Sequence, residues 1–304
     1  MDMRVILSQM AVLFILIAVG FIGGKAKLLN VDAGKILSKI IINITVPCTI
    51  LSSVLSGDVN TTAGETAVFL LISFLAYLLF LLVSIPASRM LGGDKSIRGL
   101  YGYMAAFGNN LFMGLPVISA VFGDSSAFYA ALFNIPFLLL TFSLGVFLIS
   151  GKSNKFDLKI LISPSIIAAL VAIPIAVSGF SAPAIITKSF SLVGGMTTPG
   201  SMLVIGSTLA SVSLKDVFSK WRLYPVTLLK LIVMPVMIWF IFRQFLSSEL
   251  LLGILVILSG MPTAATTVMV AIEYGGNERI ASGGVSLSTL LSGVTIPLVV
   301  YLLL

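Results

Sequence analysis

The sequence predicts an all-α membrane protein: ten transmembrane helices forming a 5+5 inverted repeat, with two crossing broken helices, the fourth and the ninth. Three observations predict it. Hydrophobic residues make up 58% of the 304 residues and charged residues 10%, and the mean hydropathy is +1.16, more apolar surface than a water-soluble domain of this length can bury. Apolar stretches long enough to cross about 30 Å of hydrocarbon recur along the chain with short polar breaks between them. Lys and Arg are dense in every other break.

The spans follow in order. The first, 5–23, runs into Lys25 and Lys27 without a small-residue cleavage site and is expected to be a retained helix, not a signal peptide. The second, 34–56, has Pro47 near its centre, and the third, 66–88, precedes Arg89. The fourth, 97–122, is interrupted by Gly108-Asn109-Asn110 and Pro116 before a Gly123-Asp124 stop. The fifth is 126–150, residues 151–158 form a short loop, and the sixth is 159–178. The seventh, 184–211, carries Pro199, and the eighth, 222–242, has Trp221 and Trp239 near its two ends, where indole rings favour the membrane interface. The ninth, 250–273, is interrupted at Gly260-Met261-Pro262 and stops at Gly275-Gly276-Asn277; the tenth is 280–303.

Charge orients them. Thirteen basic residues fall in the odd-numbered breaks, and three, counting Arg4, fall on the other side. Cytoplasmic loops retain Lys and Arg, so the odd breaks, including 151–158, are expected inside and both termini outside a cell membrane. The net charge of +7 therefore reports orientation, and no nucleic-acid partner is expected. Histidine is absent and Cys48 is the single cysteine, so neither a disulfide nor a metal site is expected, and no cofactor. Nor is there an H-E-x-x-H, G-x-S-x-G or P-loop pattern, so an enzyme has no machinery here.

Five spans per half require the second half, 159–304, to enter the membrane from the side opposite to the first, 1–150. The matched interruptions then lie at one depth. Proline and glycine free backbone groups that hydrocarbon does not satisfy, so such breaks belong where protein or a watery cavity receives them. Helix N-termini at the breaks would offer bare amides to an anion. Gly108, Asn109 and Asn110 on one side, and Ser259, Pro262, Thr263, Thr266 and Thr267 on the other, are the candidate binding residues. Lys230, eight residues beyond Trp221, lies near mid-membrane and is either the counter-charge of an anionic substrate or a lysine satisfied by helix-break carbonyls. Asn43 could line the same cavity; Lys39 and Glu273 sit close enough to the interface to reach water.

At the breaks the chain resembles the auxin efflux carrier family, which includes plant auxin exporters and bacterial permeases for malate and related carboxylates. The resemblance rests on Asn110-Leu-Phe-Met-Gly-Leu-Pro116 with Val121-Phe-Gly-Asp124, on Met261-Pro262 with Tyr274-Gly275-Gly276, and on the ten-span layout. It implies a scaffold of spans 1, 2, 6 and 7, a transport domain of spans 3–5 and 8–10, and a homodimer. It also implies that Asn110, with Asn109, Pro116 and Pro262, cradles a substrate carboxylate. The short 151–158 loop differs from the long central loop of the plant exporters, which favours a bacterial-type permease over an auxin carrier. The expected function is a secondary transporter of small organic anions, mono- or dicarboxylates, working by elevator-type alternating access, with a coupling proton or cation as a further partner. An anion-selective channel is the alternative.

Overall fold

The computed structural model describes residues 3–59, 61–150, 162–246 and 248–304; the expected 151–158 loop, with Lys152 and Lys155, and the start of the sixth span at Lys159 lie outside the described residues. Every regular element among them is helical. In chain order these are α1 (Met3–Lys25), α2 (Asp32–Leu55), α3 (Ala63–Met90), α4 (Lys95–Ala106), α5 (Asn110–Phe122), α6 (Asp124–Ser150) and α7 (Pro164–Ser178). They continue as α8 (Ala184–Gly194), α9 (Thr197–Ala210), α10 (Leu214–Ser219), α11 (Leu223–Phe242), α12 (Glu249–Ser259), α13 (Thr266–Glu273) and α14 (Glu278–Leu303). Six of them, α1, α2, α3, α6, α11 and α14, are long and apolar enough to cross a membrane singly; α5, α7 and α12 are shorter apolar helices.

Polar residues start several of these helices by capping. Asn30, Asp94 and Asn277 each accept a hydrogen bond from the backbone N–H three residues on. Thr62 and Glu65 form a reciprocal capping box at the start of α3. The stop at Gly123 needs glycine, since its φ is +87°.

Among the described residues four helices contain a π turn, and three of these turns end two residues before a proline: Ile41–Thr45 before Pro47, Asn110–Gly114 before Pro116, and Leu229–Val233 before Pro235. Proline lacks an N–H and crowds the carbonyl four residues back, and widening the preceding turn relieves both. Lys230 sits inside the third of these turns.

The chain contacts divide into two compact units, one of Met1–Ile72, Leu111–Ile135 and Leu158–Ser211, the other of Ser73–Asn110, Pro136–Asp157 and Val212–Leu304. Each draws on both halves of the sequence.

In the first unit, α1 runs along α9 with glycines at the crossing. A Cβ on Gly206 would lie 2.1 Å from the Ile17 carbonyl oxygen, and one on Gly20 would lie 2.5 Å from that of Leu203. Without a hydrophobic force between helices in lipid, such close approach supplies the packing. Hydroxyls join α2 to its neighbours. Thr49 Oγ1 lies 2.9 Å from the Gly194 carbonyl and 2.8 Å from Thr197 Oγ1, which lies 2.9 Å from Thr45 Oγ1. The expected seventh span is itself two helices, α8 and α9, separated at Gly195-Met196. A Cβ on Gly194 would meet the Thr49 backbone at 2.9 Å, so the glycine pair both admits α2 and weakens the helix there. Thr49→Val keeps the shape and removes the hydroxyl. It is expected to cost about 1 kcal/mol, read as a lowered thermal midpoint of the purified protein.

In the second unit, α4 crosses α6 so closely that a Cβ on Gly99 would overlap the Leu148 carbonyl oxygen. Tyr77, Phe80, Tyr103 and Phe107 are fully buried here. Their rings pack in tilted, stacked and edge-on pairs with centroids 4.8–6.1 Å apart. On the outer surface of both units large apolar side chains are exposed in stripes, for example Val12, Ile15, Val19 and Ile22 on α1. Lipid solvates such stripes.

Candidate functional site

The two interrupted spans meet at their interruptions, and the pairing lies wholly within the second unit. Helix α4 ends at Ala106, and Phe107 turns extended with φ −104° and ψ 114°. Helix α12 ends at Ser259, and regular structure resumes at Thr266. Between them Gly108 and Thr263 form an isolated antiparallel bridge. The Asn109 N–H donates to the Pro262 carbonyl at 2.7 Å, and the Ala264 N–H donates to the Phe107 carbonyl at 3.0 Å. Thr263 is held twice more: its N–H donates to Ser288 Oγ on α14 at 3.0 Å, and its hydroxyl donates to the Met104 carbonyl at 3.1 Å.

The breaks spend part of their own backbone: the amides of Asn109 and Ala264 bond across the pairing and that of Thr263 bonds to Ser288. These three do not face an anion bare, and the expectation of bare amides falls on the first turns of α5 and α13. The reason is the low dielectric of the surroundings, where an orphaned backbone group costs several kcal/mol and the nearest available partner is the other orphaned segment.

What the pairing leaves over is a smaller polar set. Asn110, at the first turn of α5, donates through Nδ2 to the Tyr77 hydroxyl, while its Oδ1 is buried and accepts no hydrogen bond. Lys230 is 1% exposed. Its Nζ stands 3.5 Å from the Ala106 carbonyl oxygen and 5.1 Å from the centre of the Phe80 ring. Lys230 Nζ and Asn110 Oδ1 both border Gly108: a Cβ there would lie 3.1 Å from the one and 3.2 Å from the other. No carboxylate pairs with Lys230; among the described residues the ion pair seen is Asp32–Lys35, at the surface. A lysine at mid-membrane costs about 2.5–3.5 kcal/mol on insertion scales. One weak carbonyl contact and one ring face offset only part of that cost.

The other candidates fall as follows. Pro262 accepts at the bridge, and Ser259 donates to the Val256 carbonyl one turn back in α12. Thr266 begins α13 with its hydroxyl buried against that of Tyr103, and the Thr267 hydroxyl is buried without a hydrogen-bond partner. The Tyr103 hydroxyl lies beside Thr266 and Thr141. Pro116 is not at the break: it follows the π turn of α5 and belongs to the first unit. Asn43 is also in the first unit, exposed, with its amide donating to the Lys39 carbonyl. Lys39 and Glu273 are exposed.

Sequence reasoning missed Tyr77, Phe80, Phe107 and Ser288. Tyr77, a phenol in the middle of an otherwise apolar span, was the one with a visible signal. Two open surface grooves along α11, about 430 and 420 Å³, have almost wholly apolar linings and are not this site.

Comparison with known proteins agrees in kind. Residues 5–300 match the model of a family described as membrane transport protein, the family of the auxin efflux carriers. The chain is similar to an uncharacterized transporter of Methanocaldococcus jannaschii, 26% identical over 96% of this chain and 97% of that protein. It is similar also to the uncharacterized transporter YfdV of Escherichia coli, 22% identical over 95% of each chain. A third relative, an uncharacterized transporter of Methanothermobacter thermautotrophicus, is 23% identical over 93% of this chain and 94% of its own.

Proposed function

We propose that this chain, which belongs to the auxin efflux carrier family of membrane transport proteins, carries small organic anions of the mono- or dicarboxylate class by alternating access. One observation carries the choice of an anion. Lys230 is a buried cation beside the paired breaks, without a carboxylate partner among the described residues. An incoming carboxylate is the partner that would offset its desolvation. Asn110 stands next to it across Gly108: its Nδ2 donates to Tyr77 and has one further N–H to give a carboxylate, while its Oδ1 can accept from a ligand hydroxyl.

Burial favours a carrier over an open pore. Lys230, Asn109 and Asn110 are 1%, 5% and 3% exposed, so a ligand reaches them only after the protein opens. We assign the opening to an elevator-type movement in which the helices bearing the breaks travel as a body between the two faces of a cell membrane. The basic odd-numbered breaks support cytoplasmic placement of those loops and outward termini. Ten spans in two inverted halves, and assembly as a homodimer, belong to the same proposal.

Asn110→Ala tests the site. It removes the amide while leaving the Gly108–Thr263 bridge intact, and is expected to weaken carboxylate binding about tenfold or more, as loss of a buried hydrogen-bonding group does. Radiolabelled uptake into proteoliposomes at graded concentrations reads it as a raised half-saturation. Unchanged uptake would move the site elsewhere. Near-diffusive, non-saturating flux through the wild type would replace the carrier by a channel.

A further inference from the structure

We propose that the Lys230 ammonium fills a built-in cation site at the end of α4, so that neither sodium nor potassium binds there in the native protein; this rests on taking the paired breaks as the anion site. The surroundings of the nitrogen carry the inference. Helix α4 ends at Ala106, so its last carbonyls have no partner within the helix. The Met104 and Phe107 carbonyls are taken up by Thr263 and Ala264 across the bridge, and that of Ala106 is left to Lys230. The same helix end holds the negative pole of its dipole. Asn110 Oδ1 has no donor, and the Phe80 ring presents its face. Each of these groups attracts a positive charge.

In carriers built around broken helices, unwound carbonyls and half-helix C-termini of this kind coordinate a sodium ion or a proton, while N-termini meet the anion. Here a side chain from α11 already delivers the charge to that place. The π turn Leu229–Val233 shifts the register of α11 at this position, and the lysine lies within it. A tethered ammonium group cannot diffuse away. The substrate therefore finds its counter-charge in place without a sodium or potassium ion at that position.

Truncating the tether should expose the site it fills. Lys230→Ala and Lys230→Ser leave the carbonyl and amide oxygens around a void the length of a lysine side chain, which a small cation can enter. Lys230→Met fills the void without charge. The four proteins, wild type included, are purified and unfolded thermally in choline, sodium, potassium and methylammonium chloride at equal ionic strength. The wild type and Lys230→Met should unfold at the same temperature in all four salts. The alanine and serine variants should gain about 3 °C or more, saturably, from sodium, potassium or methylammonium over choline, because a ligand of the folded state stabilises by mass action. A wild type stabilised by sodium or potassium over choline overturns the proposal. So do alanine and serine variants that ignore all the cations, or that fold in none of the salts.

A separate arm titrates the wild type with acetate, lactate, succinate, malate and citrate. Failure of that arm alone sinks the anion site and leaves the cation result readable by itself.

Discussion

Lys230→Met will give a folded protein that no longer responds to carboxylates. The side chains have similar length, and Met is flexible enough to fill the channel between Ala106, Phe80 and Gly108 that the lysine now occupies. Folding will not suffer, since an incompletely compensated buried charge is replaced by an apolar chain. The thermal midpoint should stay within the equivalent of about 1 kcal/mol of wild type, or rise. Binding will suffer greatly. Removing one partner of a buried charge pair costs about 2–5 kcal/mol, and about 3 kcal/mol is a factor of about 100 in affinity. The measurement is a carboxylate titration followed by thermal shift, with uptake into proteoliposomes beside it. A methionine variant that binds or transports carboxylates like wild type makes Lys230 a structural lysine.

Gly108→Ala is expected to have the second largest effect, and it acts through space instead of charge. Gly108 does not adopt a positive φ, so alanine fits its backbone. The new methyl would lie 3.1 Å from Lys230 Nζ and 3.2 Å from both Lys230 Cε and Asn110 Oδ1. The lysine end is mobile enough to give way by a few tenths of an ångström, so the bridge to Thr263 survives. The space beside the ammonium does not survive, and that space is where a carboxylate would meet the lysine; the Asn110 Oδ1 on its other side is an acceptor and takes only a donor from the ligand, such as a hydroxyl. Affinity should fall about tenfold or more, with a small change in thermal midpoint, because the methyl opposes the ligand and not the fold. An alanine variant with undiminished affinity would place the ligand away from Gly108.

Much of the fold was legible because the relevant signals are local. An apolar run reports a membrane helix wherever it packs, and Asn30, Asp94 and Asn277 cap helices through hydrogen bonds to backbone three residues away. The interruptions at Gly108 and Pro262 were visible for the same reason, since glycine and proline act on their own turn. The separation of α8 from α9 went unseen. Gly194-Gly195 looks like many tolerated glycine pairs, and what singles it out is Thr49, about 145 residues earlier, pressed against Gly194.

Of the candidate site, the sequence by itself determined the residue types: two asparagines, one lysine and two interruptions in an apolar background. Only the tertiary structure decided which of them share one place. It set Lys230 beside Asn110 across Gly108, and it left Asn43 and Pro116 in the other unit. It also decided where three backbone amides at the breaks go: those of Asn109 and Ala264 bond to the opposite segment and that of Thr263 to Ser288. The physical reason is the partner's distance along the chain. A break is made by its own residues, but the groups it releases are satisfied by whatever the fold brings to them, here a strand-like pairing of Gly108 with Thr263.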